Sequence, residues 1–166
     1  MKLSDEMTTA LNDHITLELA ASQFYLSAAG WCEVSGYDGG AAYLYAQADE
    51  ERAHMLKIIK FMNSLGVRAA IPAVPQPDVN PESLENLLSM SLANEQSVTA
   101  SINNTLSLAY KLPEYSVIDL LEWFATEQVH EETKFEAILQ KFDTIGRDGL
   151  AVAEIDKILA SSTGGE

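Results

Sequence analysis

Glu50, Glu51 and His54 are the first residues of this chain whose types and spacing can do chemistry. Positions i and i+3 of a helix share a face, so Glu51 and His54 would present a carboxylate and an imidazole side by side. Turned inward, toward helices that bring further carboxylates, a Glu-x-x-His pair is the arrangement by which a helical bundle holds two metal ions. Three other stretches supply candidates for that company: Glu18, Glu95, and the pair Gln128 and Glu131. Four carboxylates and two divalent ions close neutrally, whereas four buried carboxylates alone repel one another with no cheap structural remedy. A ligand set of carboxylates and one imidazole, with no thiolate, suits iron(II) or manganese(II), with zinc an opportunistic occupant. Calcium would prefer carbonyl-rich loops.

The elements that must position these residues follow from periodicity. Glycine and proline are scarce inside four long segments and gather between them, which is the punctuation of an all-α protein. The first segment, about Leu3 to Glu33 with Ser4 as N-cap, has the seam Met7, Leu11, Ile15, Glu18, Ser22, Tyr25, Ala29, Cys32. A short turn follows, so the second segment, about Ala41 to Leu65, returns antiparallel. Its seam is Leu44, Gln47, Glu51, His54, Ile58, Phe61, Leu65, and Glu50 lies one step off it.

The third segment, about Pro81 to Lys111 with Asn80 as N-cap, runs Leu84, Leu88, Ser91, Glu95, Val98, Ile102, Thr105, Ala109. The fourth follows Pro113, reaches about Phe142 and runs Val117, Leu121, Phe124, Gln128, Glu131, Phe135, Ile138, Phe142. In all four the polar interruption falls near mid-length. Between the second and third segments, Pro72, Pro75, Pro77 and Pro81 forbid a helix. Fifteen extended residues span about 45–50 Å, more than the roughly 38 Å of a 25-residue helix, so this crossover can leave the third helix parallel to the second. A shorter fifth helix is expected over about 148–160, followed by a tail over 161–166.

Glu127 and His130 form a second Glu-x-x-His pair, which would make the site symmetric. Their face continues as Ser116, Leu120, Trp123, Lys134, Ala137 and Lys141 and is mostly polar, whereas the Gln128/Glu131 face continues in Phe and Ile. Phase turns Gln128 and Glu131 inward. His14, one turn before Glu18, is expected to be partly exposed because Ile15 holds the seam.

Composition sets the outer bounds. At 166 residues the chain fits one domain, 1–166, with the bundle over about 3–142. Cys32 is its only cysteine, which rules out an internal disulfide and fits a reducing compartment. The chain opens on no secretory signal pattern and holds no apolar run of the roughly eighteen residues a membrane span needs, so a cytoplasmic protein without membrane association is expected. A net charge of -15 and a pI near 4.4 argue against nucleic-acid partners and favour attraction of cations.

Leu17-Glu18 with Tyr25 seven residues on, Glu50-Glu51-x-x-His54, Asn94-Glu95-Gln96, and Trp123-Phe124-Ala125-Thr126-Glu127-Gln128-Val129 together resemble the non-haem ferritins over essentially the whole chain. The resemblance implies a ferritin-like four-helix bundle with a long crossover between its second and third helices and a short fifth helix, assembled with copies of itself into a shell of about 24 subunits. It implies a ferroxidase centre with a first iron at Glu18, Glu51 and His54 and Gln128 nearby. Glu51 would bridge to a second iron at Glu95 and Glu131. Fe(II) would be oxidised by dioxygen or peroxide and stored as ferric mineral. Tyr25 resembles the tyrosine that supplies an electron in this family. The third iron site of bacterial relatives matches Glu50, Glu127, His130 and Glu131 here, with His130 in place of the usual glutamate. Trp123 is expected to pack structurally, with electron donation the alternative reading.

Arg52 stands directly after Glu51, where bacterioferritins place a haem-ligating methionine, so haem is not expected. The acidic pair that lines an iron channel in animal ferritins matches Ile118 and Leu121. Two other functions compete with an iron-oxidising store. A di-iron peroxidase or oxidase of the rubrerythrin type usually adds a cysteine-bearing module or another carboxylate, and a single cysteine disfavours the former. A non-catalytic shell protein would make the polar seam residues incidental.

Overall fold

A computed structural model describes residues 3–164, and these form five helices, α1 (Asp5–Ser35), α2 (Asp38–Ser64), α3 (Leu84–Lys111), α4 (Tyr115–Thr144) and α5 (Gly149–Ser161), with a 3-10 turn at Ser162–Gly164. Residues 165 and 166 of the expected tail lie outside the described residues, and no strand occurs among those described. None of the described helices is long and apolar enough to cross a membrane.

The ends of α1 follow directly from its sequence. The Ser4 hydroxyl accepts a hydrogen bond from the Met7 N–H at 3.1 Å, and Asp5 and Glu6 place negative charge on the positive end of the helix. At the other end Gly36 turns left-handed, φ 84°, while its N–H donates to the Glu33 carbonyl and the Tyr37 N–H reaches back to Cys32. Only glycine adopts that φ without strain.

Two helix starts differ from expectation. The third helix begins at Leu84, because Ser83 is the N-cap and accepts from the Asn86 N–H at 3.0 Å; Asn80 and Pro81 belong to the preceding extended chain. The second begins at Asp38, earlier than Ala41. Its first turn contains Gly39 and Gly40, whose free N–H groups donate to the two carboxylate oxygens of Asp156 on α5, at 3.1 and 2.7 Å. The fifth helix supplies the cap that the local sequence of α2 lacks.

Contacts fix the directions. Ser4 with Glu114, His14 with Phe124, and Tyr25 with Phe135 pair at a constant chain offset of 110, so α1 and α4 run parallel across the diagonal. Glu18 meets Glu51 and His54, while Tyr45 reaches Glu33, so α1 and α2 are antiparallel. Tyr110 meets Glu122 and Thr99 meets Gln128, so α3 and α4 are antiparallel as well. The third helix therefore runs parallel to the second, as the long crossover allows.

The expected seams of α1, α3 and α4 are buried throughout; on α2, Phe61 and Leu65 are half-buried and Met62 takes the core position instead. Apolar packing divides in two. One cluster joins Tyr25, Cys32, Leu44, Leu88, Phe135, Phe142 and the α5 residues Ile155 and Leu159. The other joins Leu11, Ile15, Ile58, Met62, Ile102, Leu121 and Phe124. A polar layer lies between them.

Candidate metal centre

That layer is built from one or two residues of each long helix. Glu18, Glu51, Glu95 and Glu131 are fully enclosed, and His54 and Gln128 nearly so. Their ligand atoms form two adjoining triads, Glu18 with Glu51 and His54, and Glu51 with Glu95 and Glu131, the atoms within each lying within 4.8 Å of one another. Glu51 belongs to both. A carboxylate has two oxygens, so it can serve a cation on either side.

The triads differ in what already satisfies them. Both side-chain oxygens of Glu18 and Glu51, and Nδ1 of His54, have no hydrogen-bond partner among the described residues. His54 Nδ1 stands 3.4 Å from Glu51 and 3.8 Å from Glu18, too long for a strong hydrogen bond. Glu95, by contrast, accepts from the Tyr25 hydroxyl on one oxygen and from Gln128 Nε2 on the other at 3.1 Å. Glu131 accepts from Gln47 Nε2 and from Lys134 Nζ, each at 2.8 Å. Gln128, expected beside the first triad, is thus turned toward the second, where its amide also reaches the Glu95 carbonyl.

Burial penalises charge here and moves the protonation equilibria together. It pushes the Glu18 carboxyl up to about 7, with Glu51 and His54 opposing the rise. Burial raises Glu51 and Glu95 to about 8, and each is raised further by a neighbouring carboxylate. For His54, burial opposes the charged form, but Glu51, Glu18 and Glu131 outweigh it and carry the imidazole up to about 9. Burial and the nearby carboxylates hold the Tyr25 phenol well above its ordinary range. Such a layer can stay half-protonated or release its protons to cations.

His14 is not partly exposed. It is fully buried, with Nε2 2.8 Å from Glu18 Oε1 and its ring edge-to-face with Phe124, and neither ring nitrogen has hydrogen-bond geometry to any described residue. Burial and the charge on His54 press it down to about 4, so it is held neutral. A signal for it existed. The steps 7, 11, 14, 18, 21, 25, 28, 32 alternate fours and threes in the opposite order from the seam that contains Ile15, and every residue on them is also buried. In a four-helix bundle α1 faces two neighbours and buries both columns.

The residues expected at a third metal position are placed unevenly. Glu50 and Glu127 gather with His54 into a third group of ligand atoms within 4.8 Å. His130 stays outside it, mostly exposed, with Nδ1 3.8 Å from Glu127. Glu131 faces the buried triad instead. Trp123 lies edge-to-face with His54 and Phe124 and carries Lys57 Nζ 3.8 Å above its ring. A surface hollow lies at the α5 end, beside Tyr37, Leu84, Phe142 and Val152, away from the carboxylates.

Residues 8–145 match a family profile described as the ferritin-like domain. A bacterial non-heme ferritin of Staphylococcus aureus is 35% identical over 161 residues, covering 97% of each chain. A probable bacterial non-heme ferritin-like protein of Haemophilus influenzae is 33% identical over 159 residues, covering 96% of each. Among solved structures, an open-pore ferritin of the archaeon Archaeoglobus fulgidus superposes with a TM-score of 0.93 at 29% identity, over 96% of this chain and 98% of that one.

Proposed function

The chain belongs to the ferritin-like family, and from that premise we propose that it oxidises Fe(II) at the layer of Glu18, Glu51, His54, Glu95 and Glu131 and stores the product as ferric mineral. One observation supports this most: the carboxylate oxygens of Glu18 and Glu51 are buried without a partner. Unpaired buried charge is costly, and where these carboxyls give up their protons a divalent cation relieves it.

In this reading Glu18, Glu51 and His54 take the first Fe(II), and Glu51, Glu95 and Glu131 take the second. Glu51 holds the pair together. Each Fe(II) gives up one electron; dioxygen accepts both with two protons and leaves as hydrogen peroxide, or peroxide accepts them and leaves as water. The chain contributes position and charge compensation, and the redox chemistry belongs to the iron. Tyr25, hydrogen-bonded to Glu95, stands ready to supply a further electron. Gln128 steadies Glu95. Ferric product leaves past Glu50 and Glu127, beside His130. The working form is a homo-oligomeric cage of about 24 copies in the cytoplasm, without haem.

Aerobic Fe(II) titration should give a fast oxidation phase that saturates at about two irons per subunit. Replacing Glu51 by Ala should slow that phase about a hundredfold or more. If the variant oxidises iron as fast as the parent, the reading is wrong.

A further inference from the structure

Every side-chain oxygen of the second triad outside the shared Glu51 already accepts a hydrogen bond. Three of the donors, from Tyr25, Gln128 and Gln47, are neutral. The fourth is an ammonium. Lys134 Nζ lies 2.8 Å from Glu131 Oε1 and also 3.1 and 3.3 Å from the two oxygens of Glu50. A positive charge therefore already sits on a buried carboxylate that the second metal ion needs. No ammonium sits on the first triad among the described residues: its neighbouring donor nitrogens are His54 Nδ1, itself a ligand atom, 3.4 Å from Glu51 and 3.8 Å from Glu18, and His14 Nε2, 2.8 Å from Glu18.

We propose that Lys134 is an intramolecular competitor for the second metal ion: the Glu18/Glu51/His54 position fills first, and the Glu51/Glu95/Glu131 position fills only as the incoming ion displaces the ammonium from Glu131. This rests on the metal-centre reading above. Two cations on one carboxylate repel, and a charge-assisted hydrogen bond is among the stronger contacts an ion can be asked to replace. The geometry makes displacement feasible. The Lys134 side chain is 37% exposed and Glu50 33%, so the displaced ammonium swings on a flexible stem into water. Glu50 keeps it close, ready to return to Glu131 when the ion leaves. Lys134 would then weaken the second site and help to empty it, which suits a centre that must pass its product on.

The test is calorimetric titration with Fe(II) under anaerobic conditions, repeated with redox-inert Zn(II). The parent is expected to bind two ions per subunit with separated affinities. Lys134→Met, of similar length but uncharged, should tighten the second ion about tenfold or more while leaving the first within about twofold. Lys134→Arg, which keeps the charge, should retain the parental separation. An unchanged second-ion affinity in Lys134→Met overturns the proposal, and so does equal tightening of both ions, which would mark a general charge effect. A parent that binds fewer than two ions overturns the metal-centre reading itself and the proposal with it. Lys134 is partly exposed, and Lys134→Gln repeats the measurement should the Met variant fold poorly.

Discussion

Glu18, Glu51 and Glu95 can each be tolerated in the core in two ways, by keeping a proton or by meeting a cation, and Tyr25 sits where that choice is made. Its hydroxyl donates to Glu95 and its ring stacks on Phe135. Burial and the adjacent carboxylates keep the phenol protonated, so losing an electron requires losing its proton as well, and Glu95 is the acceptor within reach. Tyr25→Phe is expected to slow multi-turnover Fe(II) oxidation by about tenfold, equivalent to roughly 1.4 kcal/mol of barrier, while leaving two-ion binding by calorimetry nearly unchanged. Identical turnover in the variant would leave Tyr25 a packing residue. At this scale the seam period was sufficient to identify Glu18, Glu51, His54, Glu95, Gln128 and Glu131 as buried, because a polar residue at an obligate core position stands out. It also left Glu127 and His130 off the core face. His14 does not stand out in the same way, because α1 serves two neighbours and one seam describes only one of its two buried columns. The ammonium of Lys134 could not be read either, since its stem reaches across to α2 from a mostly polar face.

Among the elements, α5 matters more than its thirteen residues suggest. Asp156 caps the first turn of α2, and a Cβ added at Gly39 would stand 1.8 Å from the Asp156 carbonyl oxygen. Asp156→Ala is expected to cost about 1–2 kcal/mol, the usual loss of a helix cap, and to lower the melting temperature by about 2–8 °C at this chain length. Gly39→Ala should cost more, since the clash is with backbone and α5 must move as a body. Calorimetric melting of the two variants checks the order; a Gly39→Ala protein as stable as the parent would mean that α5 shifts freely. Helix starts capped from within their own sequence were legible at Ser4 and, with a three-residue slip, at Ser83. The start of α2 was not, because its cap comes from 116 residues away.

The whole molecule is two apolar cores separated by a charged plane, and its stability should follow the charge state of that plane. Glu18, Glu51 and Glu95 hold protons in the fold up to about pH 7 to 8 that an unfolded chain releases near 4.5. The folded state thus binds more protons over that interval, and stability falls as pH rises through it. His54, raised from 6.5 to about 9, adds stability below 6.5 that is likewise lost as pH rises through 9. His14, lowered from 6.5 to about 4, works in the opposite sense, but its contribution is complete above 6.5. The metal-free protein should therefore melt at progressively lower temperature from pH 6.5 to 9 in scanning calorimetry, and saturating Zn(II) should abolish the decline. A flat metal-free profile would show that the carboxylates are ionised throughout. Helix number, helix direction and the crossover were all readable from where glycine and proline cluster. The docking of α5 was not, because its apolar residues are equally suited to a neighbouring copy or to its own bundle. That docking gives the molecule an internal clock. The amide protons of Gly39 and Gly40 are held by Asp156, so their rate of exchange with deuterated water measures how often the last helix lifts away, and any partner that presses α5 down will be felt as slower exchange at the start of α2.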